Sequence, residues 1–305
     1  MLKNYNDKVL MKICILGTGQ MAMAICKLLE NKLEEVYIYG RDLEQLKELC
    51  LEKKNSKYFD YKFNLSFQTN KLENFKHTIH MFDLIFYCLP VNCLNDLYLT
   101  PNTNMIYTCK GFKNDYIYNQ TKNYGLLFGP SYSSEIMNNE YTCLTFSSDN
   151  KNMINNMRIL FEKHLTCKIY YTNNLKDVEL LGIYKNIIAI FSGVIDELGL
   201  GKNTSSAFMI KLLHSINLNF SELCQPAGIG DIFLTCSSSK SRNYIFGKKL
   251  IRYNKINSDI LSEGYTSILN IKDNLFVNKL LYFINNLETM TVNEKIKYII
   301  QIIDE

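Results

Sequence analysis

Between Asp231 and Asn243 the chain gathers a carboxylate, a threonine, a serine-rich stretch and an arginine–asparagine pair. The run reads Ala227-Gly228-Ile229-Gly230-Asp231-Ile232-Phe233-Leu234-Thr235-Cys236, followed by Ser241-Arg242-Asn243. Its glycines permit close backbone approach. The guanidinium of Arg242 is a planar fork of donors matched to phosphate oxygens, and the Asn243 amide adds to it. A solvated turn uses the same residue types, so the stretch gains meaning only from what else the chain carries.

Two lysines stand out beside this carboxylate as candidates, of which Asp231 would hold Lys185 charged and aimed. Lys185 lies in Tyr184-Lys185-Asn186, flanked by apolar residues, with Gly182 one turn earlier. A lysine kept from water there needs a nearby anion or gives up its proton more readily; the other outcome is a side chain that snorkels to the surface. Lys110 lies in Cys109-Lys110-Gly111-Phe112, where the bland reading is simple exposure.

These groups need a frame. Val9 to Leu16 is an apolar run of strand length leading into Gly17-Thr18-Gly19-Gln20-Met21-Ala22 and then a helical pattern at Ala24, Ile25, Leu28 and Leu29. This is G-x-G-x-x-A between a strand and a helix. Gly17 permits the tight turn, Gly19 lets backbone meet a pyrophosphate, and Ala22 allows close helix–strand packing. Amide groups at the helix start attract the anion. The second strand, Val36–Tyr39, runs into Gly40-Arg41-Asp42. Arg41 is suited to a 2′-phosphate, so NADPH is expected beside NADH; alternatively Arg41 is a solvated loop residue and Asp42 a helix N-cap.

Further strand-like runs are Leu84–Leu89, Met105–Thr108, Gly125–Phe128, Thr142–Ser147 and Lys168–Tyr171, as a doubly wound sheet requires. Cys109–Phe112 and Gly129-Pro130-Ser131-Tyr132-Ser133 follow such runs, at strand ends where open α/β sheets bind ligands. From Leu175 the periodicity becomes helical, with Val178, Leu181, Ile188 and Phe191 spaced by threes and fours. The expected architecture is a Rossmann-like α/β domain with a mostly parallel sheet over residues 9–172, then an all-α substrate and catalytic domain over 173–305.

At 305 residues two domains are likelier than one, since single cores stop growing near ~250–300 residues. The net charge of +4 carries no dense basic block, which argues against nucleic acid and is compatible with a small anionic ligand. Ten cysteines are scattered through apolar runs without a Cys-x-x-Cys pair, and four histidines complete no metal set. Reduced thiols and the lack of a signal-peptide pattern point to the cytoplasm. No apolar run is expected to reach the ~18–20 residues that cross a bilayer; Ile187–Val194 reads as a buried helix.

Taken in order, G-x-G-x-x-A, Lys110-Gly111, Gly129-Pro130-Ser131, Gly182-x-x-Lys185-Asn186, Gly228-x-Gly230-Asp231, Thr235-Cys236, Ser241-Arg242-Asn243 and Glu263-Gly264 resemble the soluble, bacterial-type NAD(P)-dependent glycerol-3-phosphate dehydrogenases. The resemblance runs from about Leu10 to Ser267. It implies reversible reduction of dihydroxyacetone phosphate to sn-glycerol 3-phosphate with NADH or NADPH, supplying glycerophospholipid synthesis. It makes Lys185 the proton donor and acceptor, with Lys110 beside substrate and cofactor. Gly129, Ser131, Asp231, Ser241, Arg242 and Asn243 would surround the substrate, with Thr235 a further candidate. Gln20, Met21, Arg41, Ser133, Arg242, Leu261 and Glu263 would lie along the nucleotide. A homodimer is compatible with this reading.

Two competitors stay open at this level. One is a dehydrogenase of the same architecture acting on a hydroxy acid or hydroxyacyl substrate, which leaves Ser241-Arg242-Asn243 unexplained. The other is a nucleotide-sensing protein whose activity has decayed, against which stands the joint presence of Lys110, Lys185, Asp231 and Arg242.

Overall fold

The fold is that of a computed structural model, which describes residues 8–97, 99–111, 121, 123–237, 241–256 and 262–305. Backbone contacts divide it into two units. One holds the described residues as far as Cys109 and again up to Leu175; the other holds Lys110 and Gly111 with Lys176–Glu305.

The first unit is built on an eight-stranded sheet. Its strands are β1 (Ile13–Leu16), β2 (Glu35–Gly40), β3 (Ser66–Lys71), β4 (Leu84–Tyr87), β5 (Met105–Tyr107), β6 (Tyr124–Phe128), β7 (Thr142–Ser147) and β8 (Cys167–Thr172). They lie in the order β3-β2-β1-β4-β5-β6-β7-β8. All neighbouring pairs are parallel except β6 with β7. Every residue of β1 and β4 is buried, as expected of central parallel strands covered on both faces. The chain order reverses between β1 and β4, the switch point at which open α/β sheets bind ligands. From β1 the chain turns through Gly17 into α1 (Gln20–Leu29), and from β2 through Asp42 into α2 (Leu43–Glu52).

β1 is shorter than the apolar run that announces it. Leu10 is fully exposed, and pairing begins only at Ile13, opposite Leu84. β3 has no counterpart among the expected strands. Its sequence, Ser-Phe-Gln-Thr-Asn-Lys, is largely polar because it forms the sheet edge and buries little besides Phe67.

The second unit is helical. Its centre is the helix Leu175–Glu197, in which Val178, Leu181, Ile188 and Phe191 are fully buried. Around the part from Leu181 onward pack Phe208, Phe246, Ile268, Leu280, Phe283 and Ile299, with Phe191 stacked on Phe208 at 5.2 Å between ring centroids. A helix apolar on all sides must be covered on all sides. At 23 residues it is long and apolar enough to span a bilayer by composition, contrary to the expectation that no run would be. The apolar window is 89% buried, so core formation accounts for its composition.

Two glycines bring this helix against the helix Arg242–Tyr253 backbone to backbone. A Cβ at Gly193 would lie 2.1 Å from the Tyr244 carbonyl oxygen, and one at Gly247 would lie 1.8 Å from that of Ile190. The crossing is fastened at its rim, where Asp196 accepts from Tyr244 at 2.7 Å and from Lys248 at 2.8 Å. Intrinsic helix propensity favours alanine over glycine by about 1 kcal/mol, whereas overpacking at a backbone contact costs about 1–3 kcal/mol. Gly247→Ala is therefore expected to destabilise the protein in urea unfolding. An unchanged or raised unfolding midpoint would show that the two backbones are not in contact.

Candidate active site

In the second unit Asp231 is the first residue of the helix Asp231–Ser237, and its carboxylate is 3% exposed. Two lysines far away in sequence converge on it. Lys185, midway along the central helix, donates from Nζ to Oδ1 at 2.9 Å. Lys110, just beyond β5, donates to Oδ2 at 2.5 Å. Lys185 also donates to Thr235 Oγ1 at 3.2 Å, and that hydroxyl donates to the Asp231 carbonyl at 2.6 Å. The Lys185 side chain is 8% exposed and that of Lys110 15%. Of the two fates open to Lys185 in the sequence, desolvation beside an anion is the one the fold realises. Lys110, whose bland reading was exposure, forms the shorter of the two ion pairs.

Charge in so dry a place shifts every group. Burial pushes the Lys110 amine down to about 8, with the Lys185 ammonium adding to the effect and Asp231 opposing it. Burial acts on Lys185 in the same direction, yet Asp231 outweighs it and holds that amine above the ordinary lysine range. Burial likewise favours a protonated Asp231, but the two ammoniums keep its carboxyl below the usual carboxylate range. At neutral pH two cations thus share one anion, leaving one net positive charge in a water-poor site. Such an excess can stabilise negative charge developing on a bound oxygen and can deliver a proton.

The remaining second-unit candidates occupy two helix starts. Ser241 is buried and caps the helix Arg242–Tyr253 by accepting from Tyr244 N–H at 3.3 Å. Arg242 projects outward, its side chain 85% exposed, with Nη2 3.4 Å from Glu263 Oε1. Asn243 is buried and accepts from Gly264 N–H at 3.2 Å. Gly264 in turn packs on the carbonyl of Asn186, where a Cβ would come within 2.8 Å. Asn243 and Gly264 are thereby held beside the residue that follows Lys185. The Asn186 side-chain nitrogen is buried with no hydrogen-bond partner in the described structure; the sequence had marked it only as a neighbour. Leu261 lies outside the described residues.

In the first unit Gly17 takes φ +114° and donates from N–H to the Tyr39 carbonyl at 2.7 Å. Gly19 is the N-cap of α1, and a Cβ on it would meet no atom within 4 Å. Gln20 is exposed, Met21 partly buried and Ala22 fully buried. Gly19, which no packing contact requires, opens a helix whose first amides lack intrahelical acceptors, and this fits a dinucleotide pyrophosphate. Ser133 opens the short helix Ser133–Met137, which packs against α1. Just before it, Ser131 donates from Oγ to the Gly129 carbonyl at 3.0 Å.

Arg41 is exposed and lines a cavity of about 500 Å³ together with Gly40, Leu43, Lys71, Phe75 and Lys76. Asp42 is occupied as the cap of α2, accepting from the Glu44 and Gln45 N–H groups at 3.2 Å each. That was the alternative reading of this residue.

A mostly parallel sheet with its glycine turn at the switch point, followed by a helical unit that buries two lysines on one aspartate, is an organisation seen in nicotinamide-dependent dehydrogenases. A family model described as the N-terminus of NAD-dependent glycerol-3-phosphate dehydrogenase matches residues 12–154, and one described as its C-terminus matches residues 174–294. The chain belongs to this family and is an oxidoreductase working with NAD(H) or NADP(H). The glycerol-3-phosphate dehydrogenase (NAD(P)+) of Staphylococcus epidermidis is 29% identical over 265 residues, covering 78% of this chain and 79% of that protein. Among solved structures, the glycerol-3-phosphate dehydrogenase of Coxiella burnetii superposes with a TM-score of 0.75 at 20% identity, covering 97% of this chain and 99% of that one. The corresponding Plasmodium falciparum protein gives 0.79 at 19% identity, with 94% of each chain covered. The hydroxy-acid and decayed-sensor readings are not favoured.

Removing Asp231 leaves two buried ammoniums without their anion. Asp231→Asn is expected to cost about 3–5 kcal/mol of stability, the usual penalty for breaking a buried pair. Adding Lys110→Met removes the surplus charge and should restore part of that loss, as read by denaturant unfolding. A double variant no more stable than Asp231→Asn would show that the cluster is not electrostatically coupled.

Proposed function

We propose that the Lys110–Asp231–Lys185 cluster performs the proton half of the family reaction, the reversible reduction of dihydroxyacetone phosphate to sn-glycerol 3-phosphate. The observation that carries this is one buried carboxylate holding two ammoniums charged. When bound, NADH or NADPH supplies the hydride. As the ketone oxygen gains negative charge, the Lys185 ammonium stabilises it and transfers a proton from Nζ; in the reverse direction the same amine accepts one. Asp231 keeps Lys185 protonated and aimed, and Thr235 Oγ1 fixes the ammonium's orientation. Lys110 adds positive potential toward the same oxygen.

The phosphate end of the substrate is assigned to Ser241, Arg242 and Asn243. There a guanidinium fork and the start of a helix are both suited to an anion, and holding the non-reacting end orients the carbonyl. Gly129 and Ser131 complete the substrate side. The nucleotide is assigned to Gly17, Gly19, Gln20, Met21 and Ala22 at the glycine turn, to Arg41 at the ribose end, and to Lys110, Ser133, Arg242 and Glu263. Supply of a glycerophospholipid precursor and a homodimeric state belong to the same proposal, on family likeness alone. A cytoplasmic location is supported further by ten cysteines that form no disulfide among the described residues.

The purified protein should oxidise NADH or NADPH in the presence of dihydroxyacetone phosphate. Lys185→Met should lower kcat/KM by about 10²–10⁴-fold while nucleotide affinity stays within about twofold; near-normal turnover would remove Lys185 from the mechanism.

The Lys110 amine titrates at about 8, and its positive charge is present below that pH and lost above it. The wild-type kcat/KM for ketone reduction should accordingly fall as pH rises through about 8. Lys110→Arg stays charged throughout and should lack this descent even if its plateau is lower. A descent that persists unchanged in Lys110→Arg would assign it to another group.

A further inference from the structure

Asn55 has no place in any motif, yet it is 1% exposed and touches the glycine turn. Its amide nitrogen donates to the Thr18 carbonyl at 2.8 Å and to Gln45 Oε1 at 3.1 Å. Gln45, also buried, donates from Nε2 to Asp42 Oδ2. Asp42 caps α2 and accepts from Lys57 Nζ at 3.2 Å. A continuous polar chain therefore runs from Thr18 through Asn55 and Gln45 to Asp42. It joins the turn after β1 to the turn after β2, the one that carries Arg41. The two turns also meet in van der Waals contact, since a Cβ at Gly40 would lie 2.7 Å from Thr18 Cγ2.

Fold stability alone does not explain an asparagine here. Its Oδ1 is buried with no hydrogen-bond partner among the described residues, and an unpaired buried acceptor is a cost to the fold. What the residue supplies is a pair of donors, one of them spent on a backbone oxygen inside the glycine turn. The chain has no cis peptide bonds among the described residues. In a trans peptide the carbonyl and the following N–H point in opposite directions. Fixing the Thr18 carbonyl toward Asn55 therefore fixes the Gly19 N–H away from it, at the start of α1, where an anion is held by amides of set direction.

We propose that Asn55 is a positioning residue for the dinucleotide. It holds the Thr18–Gly19 peptide in the orientation that presents the Gly19 amide to the pyrophosphate. Through Gln45 and Asp42 it couples that turn to the ribose-side loop. The proposal rests on reading the glycine turn as the nucleotide site, which nucleotide binding by the wild-type protein tests on its own.

The experiment is a fluorescence titration of the full-length protein with NADH and with NADPH in the absence of substrate, paired with steady-state kinetics. Asn55→Leu keeps the approximate volume and removes both donors. Its dissociation constants should rise by about tenfold, on the order of one well-placed hydrogen bond. Its kcat at saturating nucleotide and its KM for dihydroxyacetone phosphate should stay within about twofold of wild type. Gln45→Met leaves the Thr18 contact and cuts the link to Asp42, and should give a smaller rise of about threefold. A folded Asn55→Leu with a lower melting temperature but unchanged nucleotide affinity would reduce the residue to a structural role and overturn the proposal. If Asn55→Leu does not fold, Gln45→Met decides: unchanged affinity overturns, a weakened one with normal kcat supports. A wild-type protein that binds neither nucleotide would overturn the reading of the turn itself, and the Asn55 proposal with it.

Discussion

One carboxylate between two buried ammoniums is the constraint on which the second unit depends. Neither lysine is tolerable in its place alone, because burial drives each toward its neutral form. Asp231 makes both tolerable at once and leaves a single positive charge uncompensated. The helix Asp231–Ser237 presents the carboxylate, the central helix presents Lys185, and the segment after β5 presents Lys110. The two ammoniums hold the Asp231 carboxyl below the usual carboxylate range, so the cluster's stabilising charge is intact at neutral pH and is lost only as acid below that range protonates it.

Around this charge the second unit is arranged by close backbone packing. The Gly193–Tyr244 and Ile190–Gly247 contacts lay the helix Arg242–Tyr253 on the central helix, and Gly264 lays a third helix on Asn186. Asn243 then reaches the Gly264 amide. Polar groups of the site are thus carried on packed helices, which is what the proposed acid–base role needs if its geometry is to survive thermal motion. The first unit follows the same logic at the other reactant. Its turn at Gly17 is held by the Tyr39 carbonyl and, one residue on, by Asn55.

Much of this was legible from residue order. The glycine turn, seven of the eight strands and the central helix follow from apolar runs and their periodicity, because the central strands and that helix are buried on nearly all sides and even β8, at the other edge, buries alternate residues. β3 was invisible for the opposite reason, since an edge strand that buries little besides one phenylalanine leaves no apolar pattern. The start of β1 was overextended because Val9 and Leu10 are apolar without being paired. The chemistry-bearing residues were named and Asp231 was expected to hold Lys185, but nothing in the sequence said that Lys110 would meet the same carboxylate. Whether Lys185 snorkels or stays dry, and whether Lys110 is idle or bonded to a carboxylate at residue 231, are decided only by tertiary packing. Asn55 gave no signal, for a single asparagine in Lys53-Lys54-Asn55-Ser56-Lys57 looks like any loop residue.

The central claim is that the shared carboxylate splits the two lysines apart in acidity. A heteronuclear NMR titration of the lysine side chains, with signals assigned through Lys110→Arg and Lys185→Met, measures this directly. The account predicts one amine titrating at about 8 and a second remaining protonated beyond the ordinary lysine range. Two amines that both titrate together near the unperturbed value of about 10.4 would contradict it.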